Sequence, residues 1–137
     1  MNFQETVKKA RELSFSDSLS SLFSEEQREI LGETVDAMER DVGKVFAGER
    51  VEFREEDAGQ VFFMLDRLSD HLRMSIGVHK EVKEFIRAYL QLSFNYTNCR
   101  RQMGHRSSLL EQVIRKLYGL ARWRDAEILV SLRQRVN

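Results

Sequence analysis

Proline does not occur in this chain, although average usage would place about seven in its 137 residues. A proline inside a helix removes a hydrogen bond and kinks the rod, so its absence lets long helices run. It also removes the usual marker of linkers, and no linker is read anywhere. Cysteine occurs once, at Cys99, which excludes an intrachain disulfide framework and fits a reducing compartment. The longest unbroken apolar run is Val61-Phe62-Phe63-Met64-Leu65, far short of the roughly 20 residues that a bilayer span needs. Glycines stand singly, so there is no Gly-rich phosphate loop. Met1 to Leu13 mixes acids with lysines and has no apolar stretch, which argues against a secretory signal. These absences lead to the expectation of a cytoplasmic protein that does not enter the membrane.

What is present is helical periodicity. Val78, Val82, Phe85, Tyr89, Leu92, Tyr96, Cys99 and Met103 are separated by alternating steps of four and three. Only a helix puts all eight on one stripe, so a long helix is expected over about 79–103, with Asn95, Thr97 and Asn98 as weak points. Leu31, Val35, Met38, Val42 and Val45 repeat the pattern and predict a helix over about 25–47. Its start is a Ser24–Gln27 capping box and its stop is Gly48. Ala58, Val61, Leu65, Leu68 and Leu72 predict a third, opened by Glu55, Glu56 and Asp57 and stopped by Gly77. A short helix from an Asn2–Glu5 box to about Leu13 precedes them. A serine-rich connector over 14–24 follows it, where Phe15, Leu19 and Leu22 still keep helical spacing. Val51 and Phe53, in the connector 48–54, are expected to tuck under the bundle. Ser108 with Glu111 predicts a further helix to about Tyr118, ended or bent by Gly119, and a last helix is expected over about 123–136.

The expected fold is therefore all-α, one domain over 1–137. It is an up-down-up antiparallel helical bundle with a C-terminal helical hairpin, five to six helices in all. Leu110 to Leu132, with Leu-Tyr-Gly-Leu-Ala-Arg-Trp-Arg-Asp-Ala-Glu-Ile-Leu at its centre, resembles a tetratricopeptide-type hairpin. In that family a small Ala packs where the two helices cross, and Ala126 matches it. The family's Gly and aromatic of the first helix are replaced by Ile114 and Leu117. The resemblance spans about one repeat of the three or more a solenoid needs, and implies a helical hairpin.

Chemistry-bearing constellations are sparse. His71, His79, His105 and Cys99 show no metal-ligand spacing, so no metal or other cofactor is expected. Cys99 lies on the apolar stripe, where a packed thiol is the ordinary case. Asp66 and Asp70 stand one turn apart on a polar face, which reads as solvated carboxylates. No catalytic residue is assigned.

Charge is the informative feature. The net charge is zero, but residues 1–60 hold 8 Lys/Arg against 15 Asp/Glu, while residues 99–137 hold 9 against 3. The basic third is mostly arginine, which suits bidentate contact with carboxylates or phosphates. Trp123 stands between Arg122 and Arg124 and suits stacking or an interface anchor. The candidate binding residues are Arg100, Arg101, Arg106, Arg122, Trp123 and Arg124. The bland alternative is that these side chains are solvated or pair with the acidic half of the same chain. The leading expectation is a non-enzymatic protein-interaction module, an adaptor or accessory subunit that binds another protein and can self-associate as a homo-oligomer. The alternative is a nucleic-acid-binding accessory subunit using the same basic face, whose affinity would fall steeply with salt.

Overall fold

The computed structural model of the chain describes residues 3–74 and 78–124. Helix α1 spans Phe3–Ser14 and is followed by a 3-10 helix, Asp17–Ser21. Then come α2, Glu25–Phe46, α3, Glu55–Met74, α4, Lys80–Gln102, and α5, Ser108–Arg124. The described residues form an all-helical bundle without strands, as the 3.5-residue apolar spacing requires.

The helix ends have local causes. At Ser24 both halves of the capping box form: its hydroxyl accepts from Gln27 N–H at 3.2 Å, and the Gln27 side chain accepts from Ser24 N–H at 2.9 Å. Helices α2 and α4 stop in the same way. Gly48 and Gly104 take φ of +78° and +80°, a left-handed conformation that side-chain-bearing residues resist. The following residue then donates back across the turn, Glu49 N–H to Lys44 O at 2.9 Å and His105 N–H to Arg100 O at 2.7 Å. Two otherwise orphaned carbonyls are satisfied in this way. Asn2 and Gly77, the predicted cap of α1 and stop of α3, lie outside the described residues.

Two features of α5 differ from expectation, its cap and its passage through Gly119, while α4 spans Lys80–Gln102 as the apolar spacing predicts. The capping hydroxyl of α5 belongs to Ser107, which accepts from Leu110 N–H at 3.3 Å, not to Ser108. With the cap at Ser107 the box position falls on Leu110, so Glu111 completes no box, and its carboxylate accepts from Arg101 at 2.9 Å instead. Helix α4 runs unbroken through Asn95, Thr97 and Asn98, since burial of Tyr96, Thr97 and Cys99 outweighs a propensity deficit of a few tenths of a kcal/mol per residue. Likewise α5 continues through Gly119 to Arg124, with Leu117 and Ala121 fully buried on either side. The turn expected at Gly119 is thus absent; the second arm from Asp125 onward, with Ala126, falls outside the described residues. A Cβ at Gly119 would meet nothing within 4 Å. Gly119→Ala is therefore expected to stabilise the fold by about 1 kcal/mol, read as a higher urea midpoint at unchanged slope.

Side-chain contacts fix the helix directions. Phe3 meets Phe46 edge-on, so α1 starts where α2 ends. Lys9 pairs with Glu84 at 3.3 Å, and Ser16 and Ser18 both donate to the Glu81 carboxylate, so α1 ends where α4 begins. Phe53 packs edge-on against Tyr96, which puts the start of α3 at the end of α4. Helix α5 then turns back along α4, with Phe94 against Tyr118. The chain runs alternately up and down. The most extensive contacts, however, join helices distant in sequence, α1 with α4 and α3 with α5, while α2 packs on α1, α3 and α4.

The core lies on α4. Val82, Phe85, Tyr89, Leu92, Tyr96 and Cys99 are buried, with Val78 and Met103 half-buried at the ends of the stripe. The stripe is therefore intramolecular core. Ile86, Ala88, Leu90, Gln91, Ser93 and Thr97 are buried too, so α4 is enclosed well beyond one seam. Val51 and Phe53 are buried as expected. Asp41 is a buried carboxyl on α2. Burial raises its pKa above the ordinary carboxylate range, with Arg40 opposing the shift. A raised folded pKa means that stability is fully present below the ordinary carboxylate range and is lost as pH rises through the folded value. Asp41→Asn is therefore expected to raise the melting temperature at about pH 7 and to leave it unchanged near pH 3, where both states are protonated.

Candidate interaction face

Helix α5 buries one side and presents the other. Leu110, Val113, Ile114, Leu117 and Ala121 face inward. Leu109, Gln112, Arg115, Lys116, Arg122 and Trp123 face outward. Arg115 and Arg122 stand seven residues apart, as do Lys116 and Trp123, so each pair shares a stripe about 10.5 Å long. The one acid described on α5, Glu111, is only half-exposed. It sits at the corner between α4 and α5, 2.9 Å from Arg101 and 3.7 Å from Arg106. The Arg101 hydrogen bond holds its carboxyl below the ordinary range, helped by Arg106 and Arg115. Glu111 is thus one carboxylate among three guanidinium groups, those of Arg101, Arg106 and Arg115.

Four of the candidate residues are exposed, Arg101 and Arg106 at the corner where α5 begins and Arg122 and Trp123 near its described end. Trp123 is 75% exposed. Arg124 closes the described length of α5, and its side chain lies outside the described residues. Arg100 is a correction: it is 1% exposed and is not part of any open face. Its position in α4 turns it inward beside Tyr96. There it donates to Tyr96 Oη at 3.2 Å and to Glu55 at 3.1 Å, and its guanidinium lies 5.4 Å from the Phe53 ring centre and 5.6 Å from that of Tyr96. Arg100 clamps the connector that leads into α3. Arg115 and Lys116 take its place on the face. They count toward the basic third of the sequence but are missing from its candidate set; their seven-residue spacing to Arg122 and Trp123 is the signal that marks them.

The other constellations are placed as follows. Cys99 is buried, and burial pushes its thiol pKa up, away from reactivity. His71 is half-buried, which pushes its pKa down. Asp70 pairs with Arg73 at 2.9 Å within α3. Among the described residues no group of three or more His, Cys, Asp or Glu is placed to hold a metal ion, and no helix is long and apolar enough to cross a membrane. An open groove of about 820 Å3 lies where α1 begins and α2 ends, lined by Phe3, Asp36, Glu39, Gly43, Lys44 and Phe46 among others. Its lining mixes both charge signs.

Among the described residues the acidic part of the chain pairs little with the basic part. Among them, Arg100 with Glu55 is the ion pair that joins residues 1–60 to residues 99–124. Arg101 and Arg106 pair within their own segment, and Arg11 pairs with Asp36 and Glu39 within the acidic one. Compared with models of protein families, with curated proteins and with solved structures, the chain finds no match, so its own geometry carries the functional reading.

Proposed function

We propose that this is a non-enzymatic, cytoplasmic protein-interaction module that binds an acidic partner protein through the outward face of α5. The observation that carries the reading is the set of exposed cations there, Arg115, Lys116 and Arg122 beside Trp123, continued by Arg101 and Arg106 at the corner. Arginine forks match carboxylates bidentately, and tryptophan anchors interfaces by burying a large, stiff surface. The cationic set speeds encounter with an acidic surface, and Trp123 supplies the buried centre. Nucleic acid is the second reading, favoured by the same arginines together with a stacking indole.

Capture from cell extract on immobilised protein, with and without nuclease, separates the two. The wild type is expected to retain an acidic protein in the presence of nuclease. A variant carrying Arg115→Glu, Lys116→Glu and Arg122→Glu is expected to lose it by at least about tenfold, because opposed charges then repel. Capture that disappears with nuclease selects the nucleic-acid reading. Capture unchanged by the triple reversal and by Trp123→Ala removes the face from consideration.

A further inference from the structure

We propose that one occupant of the α5 face is a second copy of this chain, docked through the acidic row on α2. This rests on the reading of α5 as a protein-binding surface and names a partner for it. The first half of α2 carries Glu25, Glu26, Glu29, Glu33 and Asp36 on its outward side, all exposed, with Arg40 and Lys44 following only in its last two turns. Asp36 is held by Arg11; Glu25, Glu26, Glu29 and Glu33 pair with no described residue.

The two rows match in spacing as well as in sign. Glu26 and Glu33 stand seven residues apart, and so do Arg115 and Arg122. Two helices laid side by side therefore align both pairs in a single register, each about 10.5 Å from the next. Each row also has an exposed aromatic next to it. Trp123 adjoins the basic row, and Phe15, 58% exposed, lies against Gly32 in the middle of the acidic one. A nucleic acid would be repelled along α2, whereas a second copy offers a row of each sign and brings no net charge.

The rows lie on different flanks, because α3 and α4 stand between α2 and α5. A contact between unlike flanks is heterologous, so it propagates into rings or open chains and does not stop at a closed pair. Surface ion pairs are salt-sensitive, so the association should weaken at least about tenfold as the screening length shrinks from about 20 Å to a few ångströms.

Sedimentation velocity of the full chain tests this at about 0.02 M and about 0.5 M salt. At low salt the wild type is expected to grow past a dimer with concentration and to return to monomer at high salt. The Arg115→Glu/Arg122→Glu and Glu26→Arg/Glu33→Arg variants are each expected to be folded, monomeric and, when mixed, to associate again. A wild type that stays monomeric at low salt and about 0.1 mM overturns the self-docking proposal while leaving the α5 face to another partner, which the capture experiment reads separately. Association that survives both reversals overturns it as well, as does a mixture that remains monomeric.

Discussion

Truncating Arg100 to alanine is expected to lower the unfolding free energy by about 2–4 kcal/mol, while Glu55→Ala costs less than about 1 kcal/mol. The asymmetry follows from where each partner sits. Arg100 is 1% exposed at its side chain and Glu55 is 81% exposed, at an N–O distance of 3.1 Å. Glu55 returns to water when the pair is broken, so the ion pair contributes little. Arg100 leaves a void between the Phe53 and Tyr96 rings and removes the donor to Tyr96 Oη. Its Nε is buried without a partner, so part of the guanidinium already bears an uncompensated desolvation cost. Arg100→Met fills the volume without that charge and is expected to fall near wild type. Urea denaturation of the three variants checks the order; equal losses for Glu55→Ala and Arg100→Ala would mean that the ion pair, not the packing, holds the connector.

Phe85→Ala is expected to cost about 3–5 kcal/mol, enough to leave the chain partly unfolded at 37 °C if its total stability is ordinary. Phe85 is fully buried, stacked on Tyr89 with ring centres 5.5 Å apart and edge-on to Phe23 at 6.5 Å. Its loss opens a cavity where the 3-10 segment meets α4, and the stiff aromatic neighbours cannot collapse into it. Phe46, 67% exposed, makes the control: Phe46→Ala is expected to stay within about 0.5–1 kcal/mol of wild type. Thermal unfolding by circular dichroism distinguishes the two directly.

The helices themselves were legible in the sequence because apolar spacing, capping pairs and single glycines are local signals. Ser24–Gln27, Gly48 and Gly104 behave as their types dictate. What the sequence did not reveal depends on neighbours that are remote along the chain. The pairings of α1 with α4 and of α3 with α5 leave no mark in any one window. Gly119 reads as a stop and is carried through because Leu117 and Ala121 are both buried. Arg100 reads as one of a basic pair with Arg101, yet one residue of helical rotation, about 100°, turns the first inward and the second outward. A charge count cannot separate them, and only the position of Phe53 and Glu55 against α4 does. The face on α5 was half legible: its sign was evident in the composition, its membership was not.

The pairing of α1 with α4 bears on how the chain is made. Val7, Ala10 and Leu13 are buried in the finished core, yet the principal cover for α1 is a helix that starts at Lys80. On a ribosome adding about 5–20 residues per second, the leading segment emerges several seconds before that cover exists. Until then its apolar stripe has, among the described elements, chiefly α2 to lean on, which leaves nascent α1 exposed to holdase chaperones and to sticking between neighbouring chains on a polysome.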